Sequence, residues 1–273
     1  MQFNKILPAA VLGLFFNSMT AHATLTGLSN DGVNLVYGSD SNVTWTADGN
    51  LLGTLIGQQG FNTVVNAIIA ASPIVYDTPN GYDNNGFNIG PSIYQGLYRI
   101  SASDFSSDGK VDWWGAQAFA AYLNTLNNGQ GYGGSNQWEI PTAGSNPQFQ
   151  LYQTANPLGS LYYNELNGQG YSGTLPINPL FTNEQVASAY WTSTENLWPA
   201  YGTNGNSDQA WIFSTWGGLM EYVDKKDEFY AWAVSPGELA VPAPVPAPGA
   251  IWLFGSVLAG FIGFNRRKQM PVA

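Results

Sequence analysis

Three stretches set the architecture of this chain: Ala189-Tyr-Trp-Thr-Ser-Thr194, Gln209-Ala-Trp-Ile-Phe-Ser-Thr215 and Phe229-Tyr-Ala-Trp-Ala-Val234. Each is short and rich in aromatic and β-branched residues, the side chains that pack best on a pleated surface, so each reads as a strand. Gly217-Gly218 marks a tight turn after the second. Trp191, Trp211 and Trp232 recur in strand after strand. Aromatics packed across one sheet face would produce that recurrence.

Working outward, Trp113-Trp-Gly-Ala-Gln-Ala-Phe-Ala-Ala-Tyr-Leu123 reads as a helix. Trp114, Ala118, Ala121 and Tyr122 line one side, Trp113 and Phe119 flank it, and Asn127-Asn-Gly129 ends it. Asn50 to Ser72 is also helical, with Phe61, Val64, Val65, Ile68 and Ile69 on one apolar face and Pro73 as the stop. Asn34 to Gly38 and Asn42 to Thr46 form a hairpin about Ser39-Asp40-Ser41. Asp77 to Pro91 is a turn-rich exposed loop and Ser92 to Ile100 a further strand. Pro147 to Thr154 is expected as a short helix, followed by long loops as far as Phe181. The class is α+β: short antiparallel sheets, few helices and long loops.

Composition narrows the function. Residues 24–239 hold all 18 acidic residues but only Arg99, Lys110, Lys225 and Lys226 among the basic ones, a net of −14. Such a surface repels nucleic acid, so no nucleic-acid partner is expected. The chain has no cysteine, and its one histidine is His22. Disulfides, Cys/His zinc sites, a cysteine nucleophile and a Ser-His-Asp triad are therefore excluded from the segment 24–239. The remaining catalytic options are carboxylates, Tyr, Lys and oxygen-bound metals. Aromatics make up 14% of the chain against 10% charged residues, a composition that folds and does not stay disordered.

Both ends read as addresses. Lys5 precedes the apolar run Ile6 to Phe16, and Ala21-His22-Ala23 is a small-x-small cleavage site, so residues 1–23 form a secretory signal cleaved after Ala23. At the other end a Pro/Ala linker, 240–248, leads into an apolar run, 249–264, and a basic tail, 265–273. The run is at the lower limit for a single transmembrane helix, and Arg266, Arg267 and Lys268 would hold that end on the cytoplasmic side. The alternative is a plain C-terminal anchor that is never cleaved.

Val245-Pro246-Ala247-Pro248-Gly249, the apolar run and Arg266-Arg267-Lys268 together resemble the PEP-CTERM sorting tail, whose namesake Pro-Glu-Pro is here Pro246-Ala247-Pro248. The resemblance implies a sorting transpeptidase of the exosortase type as partner. It also implies a precursor tethered to the inner membrane, and a mature protein at the cell surface or in the extracellular matrix of an exopolysaccharide producer.

Within 24–239, four ordered segments resemble the Lcl-type C-terminal domain family, a domain of unknown function on secreted bacterial proteins. They are Gln137-Trp138-Glu139-Ile140-Pro141-Thr142, Tyr190-Trp191-Thr192-Ser193-Thr194, Ala210-Trp211-Ile212-Phe213 with Gly217, and Ala231-Trp232-Ala233-Val234, with core motifs spanning 113–237. The resemblance implies a C-type-lectin-like fold, related in shape to formylglycine-generating enzymes. Their oxidase chemistry needs cysteines that this chain lacks, and the arginines of the family pattern are replaced, by Glu139 and Ala233 among others.

Three candidate sites stand out. In Asp104 to Gly115, Asp104, Ser106, Asp108 and Asp112 fall at positions 1, 3, 5 and 9 of a calcium loop with Gly109 at the bend, but position 12 is Gly115, not the bidentate Glu. The alternative is an Asp/Ser turn capping the Trp113 helix. Trp198 and Tyr201, among small polar residues, could stack on sugar rings or fold back over the core. Glu139, Glu195 and Asp208 are the carboxylates available to a glycosidase. The expectation is a non-enzymatic binding or structural protein associated with exopolysaccharide, needing no cofactor unless calcium binds. A carboxylate-dependent glycan-active enzyme is the alternative.

Overall fold

The computed structural model describes residues 23–30, 32–78, 96–196 and 208–239. The chain runs through β1 (Leu25–Asn30), β2 (Val33–Gly38), β3 (Val43–Thr46), α1 (Leu51–Gln59), α2 (Phe61–Ala71), β4 (Ile74–Tyr76) and β5 (Leu97–Arg99). It continues through β6 (Lys110–Val111), α3 (Trp113–Gly129), β7 (Gln150–Leu151) and α4 (Pro157–Ser160). The last strands are β8 (Ala189–Glu195), β9 (Gln209–Ser214), β10 (Leu219–Asp224), β11 (Phe229–Tyr230) and β12 (Val234–Pro236). A six-stranded sheet, ordered β6-β11-β8-β9-β10-β7, is antiparallel except where β11 meets β8. A four-stranded sheet, β1-β2-β3-β12, and the β4-β5 pair complete a mixed α+β architecture with few helices and small, chiefly antiparallel sheets. No described helix is long and apolar enough to cross a membrane; residues 249–264 lie outside the described residues.

The central sheet is buried on both faces. Ala189, Trp191, Ala210, Ile212, Ala231 and Ala233 point into a core shared with α1, α2 and α3. Tyr190, Trp211 and Phe213 point into a second core with Val36, Trp45, Tyr162 and Phe181, joined by Trp232 and Val234 from the segment after β11. The expectation that Trp191, Trp211 and Trp232 share one face is therefore corrected. Trp191 pairs with Ile212, one residue along from Trp211, and a shift of one residue reverses the face of a strand.

Trp113, Trp138, Trp191, Trp211 and Trp232 are all buried. Burying a ring of roughly 200 Å² contributes about 5 kcal/mol, but only if its N–H finds an acceptor. Trp113 donates to the Thr192 carbonyl, Trp138 to Tyr132, Trp191 to Val111 and Trp232 to Thr46, each at 2.8–2.9 Å. The indoles of Trp113, Trp191 and Trp232 thus tie together segments distant in sequence as well as filling volume, while that of Trp138 closes a local loop.

The helices follow their caps. Asp112 accepts from the Gly115 N–H at 2.7 Å and starts α3, which becomes non-helical at Leu126 and passes through left-handed Asn127 and Asn128. Its burial is wider than one stripe: Ala116, Ala120 and Leu123 are buried, while Ala121 and Tyr122 are only half-buried. The expected helix over Asn50 to Ser72 is two helices, broken at Gly60 with φ 88° and ψ 144°. The expected helix over Pro147 to Thr154 is absent. That segment holds β7, paired with β10, and the helix begins instead at Pro157, where Asn156 caps it and proline occupies the first turn. Strands β1 and β10 were not anticipated. Phe229 to Val234 is not one strand: β11 belongs to the large sheet and β12 to the small one.

Candidate functional site

An aromatic cleft lies at the edge of the large sheet. Pro147, Gln148, Phe149, Asn196, Trp211 and Tyr222 enclose a cavity of about 200 Å³. Trp211 on β9 is the buried floor, and Tyr222 on β10 stands edge-on to it with ring centroids 5.2 Å apart. Register pairing of Tyr222 with Trp211 brings the two rings together. Phe149, just before β7, meets Tyr222 edge-on at 6.0 Å. Phe149 is 60% exposed and Tyr222 40%, so the corner offers ring faces to solvent although its base is rigid. Asn196 is fixed by its backbone N–H on the Gln209 carbonyl at 2.8 Å, and its amide donates to Gln209 Oε1 at 3.3 Å. On the other side of β7, exposed Tyr152 packs on Tyr163, with centroids 4.8 Å apart. Exposed rings beside amides suit a ligand with apolar faces and many hydroxyls. Among the described residues no carboxylate lines this cleft.

A larger groove, of about 380 Å³, is lined by Asn34, Asp48, Thr54, Gln58, Tyr132 and apolar residues including Leu51 and Leu180. Its carboxylate is engaged: Asp48 accepts from the Asn50 N–H, the Thr54 hydroxyl and the Asn183 amide. Burial, reinforced by Asp48, pushes the Tyr132 phenol up to about 12.

The calcium-loop residues each make contacts of their own. Asp104 accepts from the Ser101 N–H and hydroxyl and from the Tyr98 hydroxyl, closing a capping box. Ser106 donates to Glu228, Asp108 pairs with Lys110 at 3.1 Å, and Asp112 caps α3. These contacts fit the turn-and-cap alternative: the carboxylates of Asp104, Asp108 and Asp112 each accept from a nearby N–H, hydroxyl or ammonium. Among the described residues no group of three or more His, Cys, Asp or Glu is placed to hold a metal.

The carboxylates considered for a glycosidase have other contacts. Glu195 binds Lys225 at 3.0 Å and the Thr78 hydroxyl at 3.0 Å, whereas exposed Glu139 forms a backbone bridge with Val234. The Asp208 carbonyl accepts from the Lys225 N–H at 2.8 Å. Asp77, expected in an exposed loop, is buried, because Lys225 and the Trp114 N–H hold its carboxylate inside. Ala23 lies just ahead of β1. Trp198, Tyr201, Ala21, the sorting residues Val245, Pro246, Ala247, Pro248, Gly249, Arg266, Arg267 and Lys268, and loop residues 79–91 lie outside the described residues.

Phe149, Tyr222 and Gln148 were not singled out by sequence reasoning. The available signal was Leu219-Met-Glu-Tyr-Val-Asp224, an alternating run directly after Gly217-Gly218 that completes a hairpin with β9 and leaves Tyr222 facing outward. Comparison with protein-family models, with curated proteins and with solved structures gives no match.

Proposed function

We propose that this chain is an exported surface or matrix protein with a non-catalytic role, and that its aromatic cleft holds extracellular polysaccharide. The observation that carries the reading is the exposed Phe149–Tyr222 corner over Trp211, beside the amides of Gln148 and Asn196. Rings held by packing lose little entropy on binding, and a cleft whose described lining carries no carboxylate suits recognition better than hydrolysis. The glycan-active alternative would need two carboxylates facing one sugar, and Glu195 is committed to Lys225.

The C-type-lectin-like domain reading, with its Lcl-type motifs, draws support from how the four segments meet. The Glu139 segment bridges Val234, and the Ser193 N–H donates to the Pro141 carbonyl at 2.9 Å. Secretion through the N-terminal signal, tethering by residues 249–264 and processing by an exosortase-type transpeptidase complete the proposal.

The test is affinity electrophoresis of the protein through gels containing bacterial exopolysaccharides, with a glycan array to define the sugar. Phe149→Ala and Tyr222→Ala should each weaken binding about tenfold, equivalent to ~1.4 kcal/mol, while leaving the fold intact. Retardation unaffected by both substitutions would remove the cleft from the function.

A further inference from the structure

Lys225 is one of four basic residues in the segment 24–239, and the fold places its side chain wholly inside, with 0% exposure. Its ammonium contacts Asp77 Oδ1 and lies 3.0 Å from Glu195 Oε2. It also sits 4.4 Å from the centre of the Trp113 ring and 5.9 Å from that of Trp114. Asp77 Oδ2 accepts the Trp114 indole N–H at 2.8 Å. Glu195 is the most open member, with 17% of its side chain exposed, and the Thr78 hydroxyl holds its other oxygen. An amine, a carboxyl group and a second carboxyl group that can carry protons therefore share one aromatic chamber.

We propose that Lys225 and Asp77 condense to an intramolecular amide, with Glu195 carrying the protons. An ion pair held away from water is costly, and amide formation removes both charges at once. Glu195 takes a proton from the Lys225 ammonium and passes it to Asp77 Oδ1, leaving a free amine facing a carboxylic acid. The Nζ lone pair attacks Asp77 Cγ, and the charge that develops on Oδ2 falls on the oxygen already bonded to the Trp114 N–H, which acts as an oxyanion donor. A second Nζ proton then travels through Glu195 to Oδ1. The Cγ–Oδ1 bond breaks, water leaves, and the Nζ–Cγ amide keeps the third proton. Ammonium and carboxylate thus give amide and water, Glu195 is regenerated, and no oxidant or co-reactant is needed. Fixed juxtaposition supplies an effective concentration on the order of 10⁵ M or more, and exit of water from the apolar chamber draws the condensation forward.

The bond would join residues 148 positions apart in a chain without cysteine. It would lock the end of β4 to the end of β10, closing a loop that no disulfide can close. It is independent of what the aromatic cleft binds.

Peptide mapping of the purified, denatured full chain tests it. The expected result is a branched peptide joining the Asp77 and Lys225 segments, lighter by one water than their sum, with intact mass reduced to match. Lys225→Met should restore the full mass. Because emptying the chamber of its ammonium can unfold the chain, Glu195→Gln is the second variant: it keeps the shape and slows condensation about a hundredfold. A folded Glu195→Gln protein, judged by tryptophan fluorescence, should therefore carry separate Asp77 and Lys225 peptides soon after synthesis. Separate peptides at full mass in the folded wild-type chain would overturn the proposal. Rapid cross-linking in Glu195→Gln would overturn the role given to Glu195.

Discussion

Asp112 shows how one side chain can serve a structure at an electrostatic cost. Its Oδ1 caps α3, and burial pushes its carboxyl up to about 8, with Asp104 and Glu228 adding their repulsion and the Gly115 N–H opposing. The folded carboxyl thus keeps its proton where the unfolded one, near 3.8, has lost it. Stability from this group is fully present below the unfolded value and drains away as pH rises towards about 8. Asp112→Asn retains the acceptor and removes the charge, so its melting temperature should overtake that of the wild type in alkaline buffer. Asp112→Ala loses the cap and should be less stable by about 1 kcal/mol where the wild-type carboxyl is protonated. Thermal melts from about pH 5 to pH 9 decide both. The Asp112 cap was legible from sequence as the alternative to a calcium ligand. The burial of Lys225 was not, since its two partners come from 148 and 30 residues away.

At the scale of elements, Gly60 controls how the α1–α2 arm covers the sheet. Its φ of 88° and ψ of 144° lie where side-chain-bearing residues rarely go, yet nothing stands within 4 Å of an added Cβ. Gly60→Ala should therefore cost about 1–3 kcal/mol from backbone strain alone, read as a lower urea midpoint. An unchanged midpoint would mean that the break between the helices does not depend on glycine. The apolar face of α2 was legible from its spacing, because Val64 and Val65 lie one helical turn before Ile68 and all three are buried. Strand β7 was not. Two residues carry no period, and Gln150-Leu151 is a strand only because β10 offers it a partner.

Across the whole molecule, the N-terminal strands and the last described strand meet: β12 pairs with β3, Val234 opposite Trp45. A tail cleaved beyond Leu239 would leave these pairings untouched. The proposed sorting predicts that protein recovered from the cell surface lacks the apolar run. Intact-mass measurement should find Trp252 and Arg266 gone, and replacing Pro246 and Pro248 should leave full-length chain in the membrane. Recovery of surface protein with both residues still attached would identify a permanent anchor.

Local composition and spacing were enough to determine the α+β class, the α3 helix with its Asp112 start and Asn127-Asn-Gly129 end, and the β2–β3 hairpin. Those properties depend on neighbours within a turn or a few residues, where periodicity and capping act. Strand register was decided only by tertiary structure, and with it the division of Trp191 from Trp211 and Trp232 between two cores. A sheet covered on both faces loses the apolar–polar alternation that would reveal which way each ring points. The Phe149–Tyr222–Trp211 corner and the Lys225–Asp77–Glu195 chamber arise in the same way. Each joins residues from separate strands and loops whose proximity depends on the whole sheet being assembled.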